Sequence, residues 1–157
     1  MTFAIRSASF NEKQCIFNLF QPYLNELSLF PDEEIDYKDK EGIYHYTYLD
    51  AYWQENERYP YLLFYNSEIA GFALVRHDGE HWQMAEFYVM TAFRRRGLAL
   101  ACAVDIFRSH PGDWKIGFHK RNQPSRELWQ KLAERFSKGN ILAGEWSASH
   151  DYIQFSV

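Results

Sequence analysis

Residues 93–101 read FRRRGLALA: three arginines run into a glycine, and an apolar stretch follows at once. The chain carries 17 Lys and Arg against 21 Asp and Glu, a formal net charge of -4, so this positive cluster is a local feature of an acidic protein. Before it, Glu86-Phe87-Tyr88-Val89-Met90 reads as the end of a strand. After it, Gly97 opens a helix with Leu100, Val104 and Phe107 on one face. A helix N-terminus offers unpaired backbone N–H groups and about half a positive charge, which suits a phosphate. Gly97 and Ala99 let an anion approach the backbone, and Arg94, Arg95 and Arg96 raise the local potential and can reach outlying phosphates. The alternative is a solvated basic turn capped by glycine. The stretch is neither a P-loop, lacking Gly-Lys-Ser/Thr, nor a dinucleotide fingerprint, having one glycine.

Outward from this turn the elements alternate. Phe3 to Arg6 reads as a short strand, and Ser9-Phe10-Asn11-Glu12 has the form of a capping box. Ile16, Leu19, Phe20, Tyr23, Leu24 and Leu27 then follow at helical spacing, up to Pro31-Asp32. An aromatic-rich loop leads into a second helix around Leu49 to Asn56. Strands are expected at Tyr61–Tyr65, Ile69–Val75 and Trp82–Val89, the middle one ending at the hairpin signal Asp78-Gly79. In the third, strict alternation places Glu86 on one face with Trp82, Met84 and Tyr88. Trp114 to His119 reads as a further strand and Pro124 as the first turn of a helix ended by Gly139-Asn140. The tail closes with one or two strands. The expected fold is therefore α/β, one domain over residues 1–157, with a mixed, mostly antiparallel sheet flanked by helices in the order β-α-α-β-β-β-α-β-α-β-β.

Bulk properties narrow the function. Net acidity argues against nucleic-acid binding, which calls for a basic face. Cys15 and Cys102 show no metal or redox spacing, so reduced thiols, a cytoplasmic location and no metal are expected. No stretch of 18 apolar residues exists, so no membrane association is expected. Aromatic residues make up 18% of the chain, enough to wall a pocket as well as fill a core.

Arg94-Arg95-Arg96-Gly97-Leu98-Ala99 resembles the Arg-x-x-Gly-x-Gly/Ala signature of the GNAT N-acetyltransferases, and Asn122-Gln123-Pro124-Ser125-Arg126-Glu127-Leu128-Trp129 resembles that family's Asn-led helix. The resemblance implies acetyl-CoA as co-substrate, its pyrophosphate on the backbone of residues 95 to 99. It further implies that the edge at Phe87, Tyr88, Val89 and Met90 pairs with the pantetheine arm, and that Asn122 hydrogen-bonds that arm. Asn122 also reads as a plain helix cap before Pro124. The implied reaction is attack of an amine, from a small molecule or a peptide, on the thioester. Glu86 is the candidate general base; its other reading is a solvated or arginine-paired carboxylate. The family often places a tyrosine seven residues after the asparagine to protonate the leaving thiolate, and here that position is Trp129, a hydrogen-bond donor but no acid.

On the acceptor side, Tyr46, Tyr48, Tyr52 and Trp53 stand among carboxylates and suit a cationic amine, or else they simply cover the sheet. His45, His77 and His119 are lone histidines without an evident partner. Two further readings stand beside the enzyme: an acyl-CoA-binding sensor without activity, and, against the net charge, nucleic-acid binding through the arginines. The aromatic tail is a candidate surface for a homodimer.

Overall fold

The computed structural model describes residues 2–157. Strand β1 (Phe3–Ser7) leads through a 3-10 turn into helix α1 (Lys13–Leu27). The Ser9 capping box forms: the Glu12 carboxylate accepts the Ser9 backbone N–H at 2.9 Å and is also held by Arg6 at 2.7 Å. A two-stranded ribbon of β2 (Tyr37–Lys38) and β3 (Tyr44–His45) follows, absent from the sequence-based expectation. Its turn is built by the Asp39 carboxylate, which accepts the N–H groups of Glu41 and Ile43.

Helix α2 (Ala51–Gln54) is a single turn, shorter than the expected Leu49 to Asn56. Glu55 is already extended and Glu57 takes a left-handed φ of 63°, so the chain turns early into β4 (Arg58–Tyr65). Then come β5 (Glu68–His77), β6 (Trp82–Val89), α3 (Leu98–Ser109), β7 (Asp113–His119), α4 (Gln123–Phe136), β8 (Leu142–Glu145) and β9 (His150–Ser156). Seven strands form one sheet in the order β1-β4-β5-β6-β7-β9-β8. Every pairing is antiparallel except β6 with β7.

Two hydrophobic clusters cover the two faces. On one, α3 and α4 bury Leu98, Ala103, Phe107, Trp129 and Leu132 against Val75, Met84, Trp114 and Ile153. On the other, α1 and α2 bury Ile16, Phe20, Leu24 and Tyr52 against Leu62, Phe72, Leu74 and Tyr88.

Two departures from regularity shape the middle of the sheet. The first is a bulge in β6: pairing with β5 passes from Leu74↔Glu86 to Val75↔Met84, leaving Ala85 without a partner. An extra residue reverses the alternation, so Trp82 and Met84 share the α3/α4 face with Phe87, while Ala85 and Tyr88 lie on the α1 side. The expected grouping of Glu86 with Trp82 and Met84 is thus corrected; Glu86 pairs with Leu74 and looks toward α1. The second is that β6 and β7 are in register only at Trp82↔Trp114, and beyond that pair the two strands part.

Gly71 of β5 sits where the β6 backbone presses closest. A Cβ there would lie 2.0 Å from the Tyr88 carbonyl oxygen. Gly71→Ala is expected to lower stability by about 2 kcal/mol or more through forced backbone displacement. A chemical-denaturation midpoint unchanged from the parent would refute that reading.

Candidate functional site

Where β6 and β7 part, a cleft of about 520 Å³ opens, lined by both strands, the end of α1, the loop after it, the start of α4 and the β8–β9 turn. Met90 N–H donates to the Ala70 carbonyl at 2.8 Å, so the antiparallel ladder spends the backbone of Met90 and Tyr88 on β5. By alternation the backbone groups of Phe87 and Val89 point into the gap. Of the expected edge from Phe87 to Met90, the backbone of Tyr88 and Met90 is thus engaged by β5. The Val89 carbonyl in turn accepts from Arg94 Nε at 2.8 Å.

The arginine turn is strained in an orderly way. Arg95 (φ 62°) and Gly97 (φ 80°) are both left-handed and flank Arg96, which turns successive N–H groups to one side. The first helical hydrogen bond runs from Ala101 N–H to the Gly97 carbonyl, and among the described residues the amides of 95 to 100 have no backbone partner. A Cβ on Gly97 would meet nothing within 4 Å, so open space lies before these donors. Leu98 buries its side chain in the core and fixes the helix start, and Ala99 packs partly beside it.

The three arginines are not equivalent. Arg94 is taken by Glu26 of α1, whose two carboxylate oxygens each accept at 2.8 Å, so it locks the turn to α1 rather than reaching outward. Arg96 lies over the Tyr65 ring at 5.1 Å, and Arg95 is exposed.

Asn122 serves as the cap of α4, its Oδ1 accepting the Ser125 N–H at 3.2 Å, and it also lines the cleft. Trp129 is 4% exposed, packs edge-on against Phe87, and borders the cleft with its indole N–H meeting no protein acceptor among the described residues.

Glu86 is partly buried on the cleft wall and receives a short hydrogen bond from the Tyr23 hydroxyl of α1. Burial is the main influence on its acidity, and the carboxylates of Glu33 and Asp36 add to it; donors from Tyr23 and Tyr46 act against them. The net result raises the Glu86 carboxyl to about 7. Tyr23, itself driven well above its ordinary value by burial, stays a proton donor to this group. Sequence reasoning placed Tyr23 only on the core face of a helix, because a contact across 63 residues leaves no local signal.

Of the four acceptor-side aromatics, only Tyr46 borders the cleft, stacked on Phe20. Tyr48 is exposed beneath Arg58. Tyr52 is 3% exposed with its hydroxyl unpartnered, and Trp53 donates to the Ala8 carbonyl at 2.9 Å. Tyr52 and Trp53 belong to the cover of the sheet. The histidines all have partners: His45 pairs with Asp39 at 2.8 Å, and His77 Nδ1 accepts the Gly79 N–H. His119 Nε2 donates to the Pro31 carbonyl at 2.6 Å while its Nδ1 accepts from Arg121, which fixes its tautomer.

Among the described residues, no helix is long and apolar enough to cross a membrane, and no group of three or more His, Cys, Asp or Glu is placed to hold a metal ion.

A carboxyl raised by folding costs stability wherever the unfolded chain would already have ionised it. Glu86 therefore costs nothing below pH about 4.5, and its penalty grows until it is fully ionised above about 7. Glu86→Gln is expected to match the parent at pH about 4 and to exceed it by about 2 kcal/mol at pH about 8. Urea unfolding at the two pH values reads this difference; equal midpoints at both would mean that Glu86 is not desolvated.

The sequence profile of the acetyltransferase (GNAT) family matches residues 20–133. No curated protein matches the sequence. Solved structures share the fold at low identity. An acetyltransferase from Thermus thermophilus superposes with a TM-score of 0.72 at 12% identity, covering 100% of this chain and 98% of that one. A GNAT family acetyltransferase from Elizabethkingia anophelis with acetyl-CoA bound gives 0.64 at 16%, covering 99% and 98%. The PaiA N-acetyltransferase from Thermoplasma acidophilum in complex with coenzyme A gives 0.64 at 11%, covering 100% of both chains.

Proposed function

The chain belongs to the acetyltransferase (GNAT) family, and from that premise we propose that it transfers an acetyl group from acetyl-CoA to a primary amine of a small molecule or peptide, both bound at once. The observation that carries the reading is Glu86, a carboxylate of raised pKa held by Tyr23 on the wall of the parted strands.

The residues present fit the co-substrate. The free amides of 95 to 100 and the field of α3 suit a pyrophosphate, with Arg95 free to add charge and Arg94 holding the turn. The Phe87 backbone and the Val89 N–H, which face the gap, can pair with an amide-bearing arm, and the Asn122 side-chain amide keeps its N–H groups available. Acetyl-CoA supplies an electrophilic thioester carbon and a thiolate that leaves.

An alkylamine is protonated at neutral pH, with a pKa near ~10.4 for a lysine-like group. Glu86, directly or through a water, takes one proton and frees the nitrogen lone pair. As the C–N bond forms and the C–S bond breaks, the second amine proton passes to the departing thiolate, giving the amide and the thiol. No acid is assigned to that last transfer: the Trp129 indole donates a hydrogen bond and nothing more. Tyr46 walls the same space, and the acids Glu33 and Asp36 favour the approach of a cation.

Trp129, in the place where the family often has a tyrosine, favours a second reading, a silent acyl-CoA-binding sensor. Thiol release across a panel of amines separates the two: the sensor releases none. For the enzyme, kcat/KM rises with pH through about 7 as Glu86 ionises. Glu86→Gln is expected to lower kcat/KM by about 10² to 10⁴ while leaving acetyl-CoA affinity unchanged. Tyr23→Phe removes a donor to the carboxylate, so the rising limb moves to higher pH. A Glu86→Gln enzyme of parental activity would remove the base from the mechanism.

A further inference from the structure

Lys115 lies on the α1-side face of β7, toward the closed end of the cleft, one residue past the Trp82↔Trp114 pair. Its ammonium stands 4.7 Å from the Trp146 ring centroid and 4.4 Å from that of Tyr152, and the two rings meet edge to face. Two glycines seat these rings. A Cβ on Gly117 would come 2.9 Å from the Trp146 ring, and a Cβ on Gly144 would come 2.8 Å from the Tyr152 hydroxyl. The aromatic pocket around the ammonium is thus built into the backbone of β7 and β8.

What this lysine lacks is an anion. Nearby cations have theirs: Lys120 pairs with Glu145 at 2.6 Å and Arg126 with Asp151 at 2.8 Å. Among the described residues Lys115 has neither a carboxylate partner nor a hydrogen-bond acceptor. Ring faces attract the charge but leave ammonium donors unused. The cleft's acids are gathered at its other end. Glu33 contacts His150 at 3.3 Å, His150 pairs in register with His119 on the neighbouring strand, and Glu33 and Asp36 both act on Glu86. Lys115 and His119 are four residues apart on one strand, about 13 Å along its axis. The acceptor cleft is therefore polarised along its length, negative at the Glu86 end and positive at the closed end.

We propose that the acceptor is an amino acid, its amine directed to Glu86 and its carboxylate bound by Lys115. The assignment rests on the acetyltransferase reading above. An amine with a second positive charge would meet Lys115 with repulsion, and a plain alkylamine would leave it unpaired. Which chain length spans the two groups is set by their separation, so both α- and ω-amino acids belong in the test. Lys115 acts here on specificity, not on the chemical step.

The test is acetyl transfer and calorimetric binding, with acetyl-CoA or CoA present, for leucine, 4-aminobutyrate and 6-aminohexanoate against leucinamide, 1-aminobutane and 1,4-diaminobutane. The parent is expected to favour the acids. Lys115→Met, which keeps the unbranched stem, should raise KM for the preferred acid by about tenfold or more with little change in kcat, the loss of one charge-assisted contact. It should leave leucinamide and 1-aminobutane, which carry no carboxylate, unaffected, it should ease the binding of 1,4-diaminobutane, and Lys115→Arg should restore part of the loss. Preference for the amide, alkylamine or diamine, or an acid whose KM ignores Lys115→Met, overturns the proposal. Lys115-dependent binding of an acid with no transfer to any amine upholds the carboxylate site and overturns the transferase reading instead. A Lys115→Met protein that fails to fold is distinguished by its unfolding midpoint, and Lys115→Gln then carries the comparison.

Discussion

The parting of β6 from β7 is the constraint on which the rest of this structure depends. The strands meet at one registered pair, Trp82↔Trp114, and the two indoles stack with centroids 6.1 Å apart. His110 and Phe107 pack around them, and Trp114 Nε1 donates to the His110 carbonyl at 2.9 Å. This aromatic wedge closes one end of the gap. β9 pairs with the opposite edge of β7 along its whole length, and beyond the wedge the edges of β6 and β7 that face each other have no strand partner among the described residues. A buried strand edge left without hydrogen bonds is costly, and a site that admits an amide-bearing ligand is one arrangement in which such an edge persists.

The bulge at Ala85 decides which group lines this opening. Without it, strict alternation would give Glu86 the same side as Met84, inside the α3/α4 cluster. With it, Glu86 faces α1, where burial above all, and then Glu33 and Asp36, raise its pKa while Tyr23 donates to it. One unpaired residue therefore decides both where the carboxylate points and how strongly it holds a proton. At the far side of the same strand end, the Glu26–Arg94 pair ties α1 to the glycine turn, so the Glu86 carboxyl, held by Tyr23 of the same helix, and the open amides of the turn share one scaffold. The Glu26–Arg94 pair is partly exposed, and its part is positional more than energetic.

Much of this was legible in the chain. The strand Trp82–Val89 falls where its residues alternate, Gly97 opens a helix, and the cap at Ser9 forms from its local pattern. Those signals act within a few residues. What escaped were contacts made across the sheet: the bulge, which depends on how β5 pairs; Tyr23 on Glu86; and Arg94 on Glu26, 68 residues away. The short α2 and the β2–β3 ribbon escaped for a related reason. Tyr44, Tyr46 and Tyr52 of segment 37–59 pack with α1 and β5, and tertiary contact overrode the local preference for a longer helix. Trp129 reads from sequence as a departure from the family pattern, and the structure gives it a use as a wall between Phe87 and Phe107.

The central claim is that parted strands and a glycine turn form one cradle for acetyl-CoA. Calorimetric titration of acetyl-CoA into the parent, Gly97→Asn and Gly97→Asp tests it most directly. Asn and Asp both tolerate the left-handed φ of 80° and project into the same open space, but only Asp adds negative charge before the free amides. The cradle predicts binding by the parent, weaker binding by Gly97→Asn, and loss in Gly97→Asp beyond what Asn costs. Equal affinity in all three, or no binding by the parent, would contradict it.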